Sequence, residues 1–124
     1  MGMMNIKGIQ LEVETCNPER MGQAPTLVFL HEGLGSVALW DGKQGSWPQA
    51  LCEALGLPGV LYSRQGYGRS APITDVRGQG RHGPDFMHRQ AWEVLPALLN
   101  ELGIARPILV GHSDGGTIAL LYAA

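Results

Sequence analysis

The 124-residue chain is long enough for one domain around a single core and too short for two of ordinary size. With 44% hydrophobic and 16% charged residues it lies outside the disordered range, and nine Lys plus Arg against eleven Asp plus Glu leave a formal charge of −2, which gives no footprint for nucleic acid. Cys16 and Cys52 have neither metal-type spacing nor the density of a disulfide scaffold, which fits a reducing cytoplasm, and neither a membrane-length apolar run nor a signal-peptide core or myristoylation pattern is present.

From the N-terminus, Ile9, Leu11, Val13 and Thr15 alternate with Gln10, Glu12, Glu14 and Cys16, a period of two that predicts an edge strand with one wet face. Two prolines and a glycine among polar residues make 17–25 a loop. Residues 26–30, Thr-Leu-Val-Phe-Leu, form a continuous apolar run too short for a helix, as expected of a central strand buried on both faces; residues 60–62 and 108–110 read the same way. Ser46 is placed to cap a short helix with Trp47, Leu51 and Leu55 on one stripe and Gly56 at its end. A longer helix follows Asp85, with Met87, Ala91, Val94, Leu95, Leu98 and Leu102 at three- and four-residue steps and Gly103 as the stop. Pro96 removes the bond to the Trp92 carbonyl and should kink that helix into two pieces. Residues 117–124 begin another helix. Strands alternating with helices predict an α/β fold, a mostly parallel sheet with flanking helices, in which ligands bind beyond the carboxyl ends of the strands.

Three glycine-rich segments stand at those ends. Residues 111–116, Gly-His-Ser-Asp-Gly-Gly, place a G-x-S-x-G pattern between an apolar strand and an apolar helix. A serine on so sharp a turn needs small neighbours two positions away on either side, which Gly111 and Gly115 supply. The turn sets the Ser113 hydroxyl at a helix N-terminus, where the Asp114 N–H and the helix dipole can stabilise an oxyanion. A frame shifted by one would make Asp114 the nucleophile, but that requires a small residue at His112, so Ser113 is the expected nucleophile.

Residues 31–36, His-Glu-Gly-Leu-Gly-Ser, follow the first apolar strand. Together with the serine turn this segment resembles the α/β-hydrolase family, whose H-G-x-x-G loop after its third strand contributes the second oxyanion-hole N–H. Glu32 stands where the family has glycine. The resemblance assigns the donor to the Gly33 backbone, with Leu34 as the alternative. His31 is expected to lock the loop by hydrogen bonds and not to act as base. Glu32 beside His31 does not make a metal site, because adjacent residues do not converge on one ion; no metal or cofactor is expected. Trp40, with Leu34, is a candidate lining for an apolar acyl pocket.

Residues 63–70, Ser-Arg-Gln-Gly-Tyr-Gly-Arg-Ser, are similar to the family's G-x-G-x-S turn after its fourth strand, a structural element, and lack the endings of nucleotide-binding loops. Five arginines and two histidines between Arg64 and Arg89 against Asp75 and Asp85 read as a solvated, glycine-rich loop.

A serine nucleophile needs a histidine base held by a carboxylate, in this family in the order Ser, acid, His. After Asp114 the sequence contains neither acid nor histidine. The resemblance therefore implies a single partial domain, the N-terminal part of the α/β-hydrolase fold, with an open strand at 108–110 that a second chain or a C-terminal half completes. The implied activity is a serine hydrolase for a small-molecule ester or related acyl substrate, incomplete as this chain alone; the competing expectation is a non-catalytic ligand-binding protein on the same fold.

Overall fold

The computed structural model describes residues 2–22, 25–32, 35–42, 45–73 and 85–124. Its main sheet has five strands: β1 (Gly2–Ile6), β2 (Ile9–Cys16), β3 (Thr26–Leu30), β6 (Gly59–Tyr62) and β7 (Pro107–Gly111), in the order β1-β2-β6-β3-β7. Two-residue strands β4 (Asp41–Gly42) and β5 (Gly45–Ser46) form a separate ribbon. The three apolar runs are parallel neighbours, β6 and β7 on either side of β3, whereas β1 and β2 pair antiparallel, so the sheet is mixed. The strand expected at the edge, β2, is covered: β1 pairs with it residue for residue from Gly2↔Val13 to Ile6↔Ile9 through a tight turn at Lys7 and Gly8. Residues 2–6 carry no alternation of their own, which is why the sequence pattern began at Ile9.

The period of two sorts the parallel strands onto two cores. Val28 and Leu30 of β3 and Val60 and Tyr62 of β6 face one way, against Ala91, Leu95, Leu98 and Ile118 from the helices; Leu27, Phe29 and Leu61 face the other, against Cys52 and Trp40. Each fully buried Val, Leu, Ile or Phe side chain is worth roughly 1.5–3 kcal/mol, and burial on both faces requires the unbroken apolar run.

Helix α1 (Trp47–Leu55) starts at Ser46, whose hydroxyl accepts from the Gln49 amide, and ends at left-handed Gly56. Its most buried residues are Pro48 and Cys52; of the expected stripe, Leu51 packs partly buried on the same cluster, whereas Leu55 is exposed and Trp47 is exposed apart from an edge-on contact with Phe29. The long helical run comprises α2 (Phe86–Arg89), a wide turn over Gln90–Val94 with π-type bonding, and α3 (Leu95–Glu101). Arg89, Gln90, Val94 and Leu95 all keep right-handed helical backbone, and the Leu95 amide bonds the Gln90 carbonyl five residues back. The chain thus absorbs Pro96 by widening the preceding turn, with the proline in the first turn of α3 where its missing N–H costs least. Helix α4 (Asp114–Ala123) packs back on β7 and β3. Among the described residues β7 pairs with β3 alone, and Ile108, Trp92 and Leu120 are exposed apolar side chains. Among the described residues no helix is long and apolar enough to cross a membrane.

Candidate functional site

The site lies at the carboxyl ends of the parallel strands. Strand β7 runs into residues 112–113 and directly into α4, with Ser113 exposed at φ 56°, ψ −115°. A serine there carries a β-carbon in backbone space that side chains seldom enter, a strain of about 1–3 kcal/mol that surrounding structure must impose. The His112 amide bonds the Leu30 carbonyl at 3.0 Å, and the Gly115 and Thr117 amides bond the His112 and Ser113 carbonyls at 3.0 and 3.1 Å. Close packing completes the restraint. A β-carbon on Gly115 would strike the Leu30 carbonyl and lie 2.7 Å from the His31 carbonyl oxygen, and one on Gly111 would lie 2.6 Å from the Gly116 α-carbon. A β-carbon on Gly116 meets nothing nearer than 3.6 Å. The two glycines that the spacing singles out are thus the two that the turn requires. Asp114 is the first residue of α4, where an amide has no acceptor within the helix.

Opposite the turn, the chain after β3 is pinned by residues beyond β6. His31, 2% exposed, accepts the Arg64 amide at Nε2 (3.0 Å), which places its proton on Nδ1, 2.6 Å from the Glu32 carbonyl. Burial, and secondarily the Arg64 cation, lower its pKa to about 4, so the ring is neutral at physiological pH. Arg64 is 1% exposed and donates to the His31 and Glu32 carbonyls at 2.8 and 3.0 Å, with its guanidinium 5.6 Å from the centre of the Tyr67 ring. Burial lowers its pKa as well. Arg64 therefore does not belong to a solvated loop: a cation that bridges two backbone carbonyls was not visible in a sequence pattern that registered only local charge. Residues 74–84, which include Arg77 and Arg81, lie outside the described residues.

A cavity of about 90 Å³ lies between these elements, lined by His31, Glu32, Gly35, Ser36, Trp40 and His112. It is small beside the roughly 300–1,000 Å³ of typical ligand pockets, room for a few heavy atoms. Trp40 lines it, packed edge-on against Phe29 and Trp47, beside the polar side chains of His31, Glu32, Ser36 and His112. Glu32 Oε2 lies 3.8 Å from His112 Nδ1, a contact with the character of an ion pair only when that ring is protonated. Gly33 and Leu34 lie outside the described residues. Among the described residues no group of three His, Cys, Asp or Glu side chains converges as a metal site. Cys16 and Cys52 are buried, and burial raises both thiols, Cys52 to about 12, which leaves them inert as nucleophiles.

Residues 25–124 match the family model of the alpha/beta hydrolase fold. Over 101 residues the chain is 33% identical to the sn-1-specific diacylglycerol lipase ABHD11 of Mus musculus, an alignment covering 80% of this chain and 28% of that protein. It is 31% identical over 103 residues to esterase Rv0045c of Mycobacterium tuberculosis, covering 83% of this chain and 29% of the esterase. Among solved structures, MGS-M2, an alpha/beta hydrolase enzyme from a Medee basin deep-sea metagenome library, superposes with a TM-score of 0.71 at 22% identity, over 98% of this chain and 38% of that one, a likeness of fold. The chain spans under a third of the length of the two curated relatives.

Proposed function

Because the chain belongs to the α/β-hydrolase fold family, we propose that it carries the nucleophile and oxyanion half of a serine hydrolase acting on small esters or related acyl compounds. The observation that carries this reading is the exposed Ser113 at positive φ ahead of α4, held there by the packing of Gly115 against the end of β3. A non-glycine residue at positive φ is uncommon, and such strain concentrates where a site requires it. The hydrolytic names of the two curated relatives support the same class.

In the proposed reaction Ser113 Oγ bonds to the acyl carbon as its proton passes to a histidine base, and the carbonyl electrons move to oxygen. The Asp114 N–H receives that oxyanion, and the second donor comes from the 31–37 loop, at Gly33 or Leu34. Collapse expels the alcohol, which takes the proton from the base, and water repeats the sequence to free the acid. Histidine and carboxylate are proposed to come from polypeptide outside these 124 residues. No cofactor enters this scheme. His31 is unsuited to be the base, since both ring nitrogens are engaged and a pKa of about 4 makes it only weakly basic.

Labelling the intact protein with a fluorophosphonate tests the proposal. One adduct is expected, absent from Ser113→Ala; a folded intact protein that takes no label favours a binding role on the same fold.

A further inference from the structure

Glu12 lies on β2, with two strands between it and β7, yet its carboxylate enters the turn after β6. Ser63 Oγ donates to Glu12 Oε1 at 2.9 Å, from 51 residues away in sequence, and the Arg69 amide donates to the same oxygen at 3.0 Å. Ser63 is fully buried. Its hydroxyl has one proton, and giving it to Glu12 turns the oxygen lone pairs towards the Val37 amide, which donates to Ser63 Oγ at 2.9 Å. The main chain repeats the link: the Ser63 amide bonds the Glu12 carbonyl at 3.0 Å, the Glu12 amide bonds Ser70 Oγ at 2.7 Å, and Ser70 Oγ donates to the Ser63 carbonyl. The cluster is closely packed. A β-carbon on Gly68 would lie 2.6 Å from both Glu12 Oε1 and Ser63 Oγ.

Arg64 already holds the start of the 31–37 loop through the His31 and Glu32 carbonyls. Ser63 holds its end through Val37. We infer that Glu12 is a positioning residue: by fixing the direction of the Ser63 hydroxyl it fixes the far end of the loop between His31 and Val37. That this loop serves an oxyanion rests on the proposed function; that Glu12 positions it does not.

The decisive measurement is amide hydrogen exchange at Val37 in the intact protein, relative to Val28 and Val60 in the core strands. Glu12→Leu removes the acceptor, frees the Ser63 hydroxyl to rotate, and is expected to speed Val37 exchange about tenfold or more with the strand amides unchanged. Glu12→Gln restores protection, because two donors converge on Oε1 and force the amide oxygen to that point. Ser63→Ala, which removes Val37's acceptor itself, matches Glu12→Leu, and the double variant is no worse than either. Unchanged Val37 exchange in Glu12→Leu, failure of Glu12→Gln to restore it, or additive effects in the double variant would overturn the inference. Fluorophosphonate reactivity of the same samples reads the other claim: a wild type with a protected Val37 that takes no label refutes the hydrolase reading and leaves the Glu12 relay standing.

Discussion

The turn at Ser113 and the loop over residues 31–37 meet at the end of β3, yet they are built by opposite means. The turn is built mainly from its own residues: one strained residue, two glycines without room for a β-carbon and the first bonds of α4, all at positions 111–117 and seated against a single neighbouring segment, the Leu30 and His31 carbonyls at the end of β3. The loop is held from a distance, by Arg64 and Ser63 beyond β6 and by Glu12 on β2. A nucleophile must be rigid relative to its own backbone, whereas an oxyanion donor must be rigid relative to the nucleophile. The second requirement needs side chains that tie separate strands together.

The most severe way to break this pairing is at the hydroxyl. On the proposed function, Ser113→Ala in the intact protein should lower kcat by up to about 10⁶-fold, since removal of one member of a nucleophile–base unit disables the unit; steady-state ester hydrolysis measures it, and an unchanged melting temperature shows that the fold is intact. Next in size is the contact where turn and loop press together. Gly115→Ala forces a β-carbon into the Leu30 and His31 carbonyls and should cost about 3 kcal/mol or more, whereas Gly116→Ala, one residue on and unobstructed, should be neutral or stabilise by up to about 1 kcal/mol. Chemical denaturation of the two variants gives the contrast directly.

On the loop side, pH is the lever. Folding lowers the His31 pKa from 6.5 to about 4, so as pH falls the unfolded chain takes up the proton first. The stability contributed by neutral His31 is complete above pH 6.5 and is lost as pH falls towards 4, a change of up to about 3 kcal/mol. Denaturation midpoints across that window should decline, and His31→Gln should flatten the decline. The smallest effect returns to the turn. Ser113→Gly removes the β-carbon from φ 56° and should stabilise the protein by about 1 kcal/mol relative to Ser113→Ala, although both lack the hydroxyl.

The same local-versus-distant distinction explains what the sequence disclosed. Residues 26–30, 60–62 and 108–110 announced the parallel strands because burial on both faces demands consecutive apolar residues, and Ser46 and Gly56 announced α1 because caps are chemistry of one residue. Gly111 and Gly115 flank Ser113 at a spacing fixed by the turn itself. Strand β1 had no pattern of its own, since its register comes from β2, and the stripe assigned to α1 missed Cys52 because a thiol counts weakly in an apolar tally. Arg64 read as solvated charge for a similar reason: its acceptors are the carbonyls of His31 and Glu32, more than thirty positions earlier, and carbonyls have no letter in a sequence.

The most direct test of the account is a crystal structure of the intact protein after reaction with a small alkyl fluorophosphonate. The account predicts phosphorus bonded to Ser113 Oγ, with the phosphoryl oxygen about 2.7–3.1 Å from the Asp114 amide and from an amide of the 31–37 loop. An adduct whose oxygen faces solvent, or one formed on another residue, would contradict it.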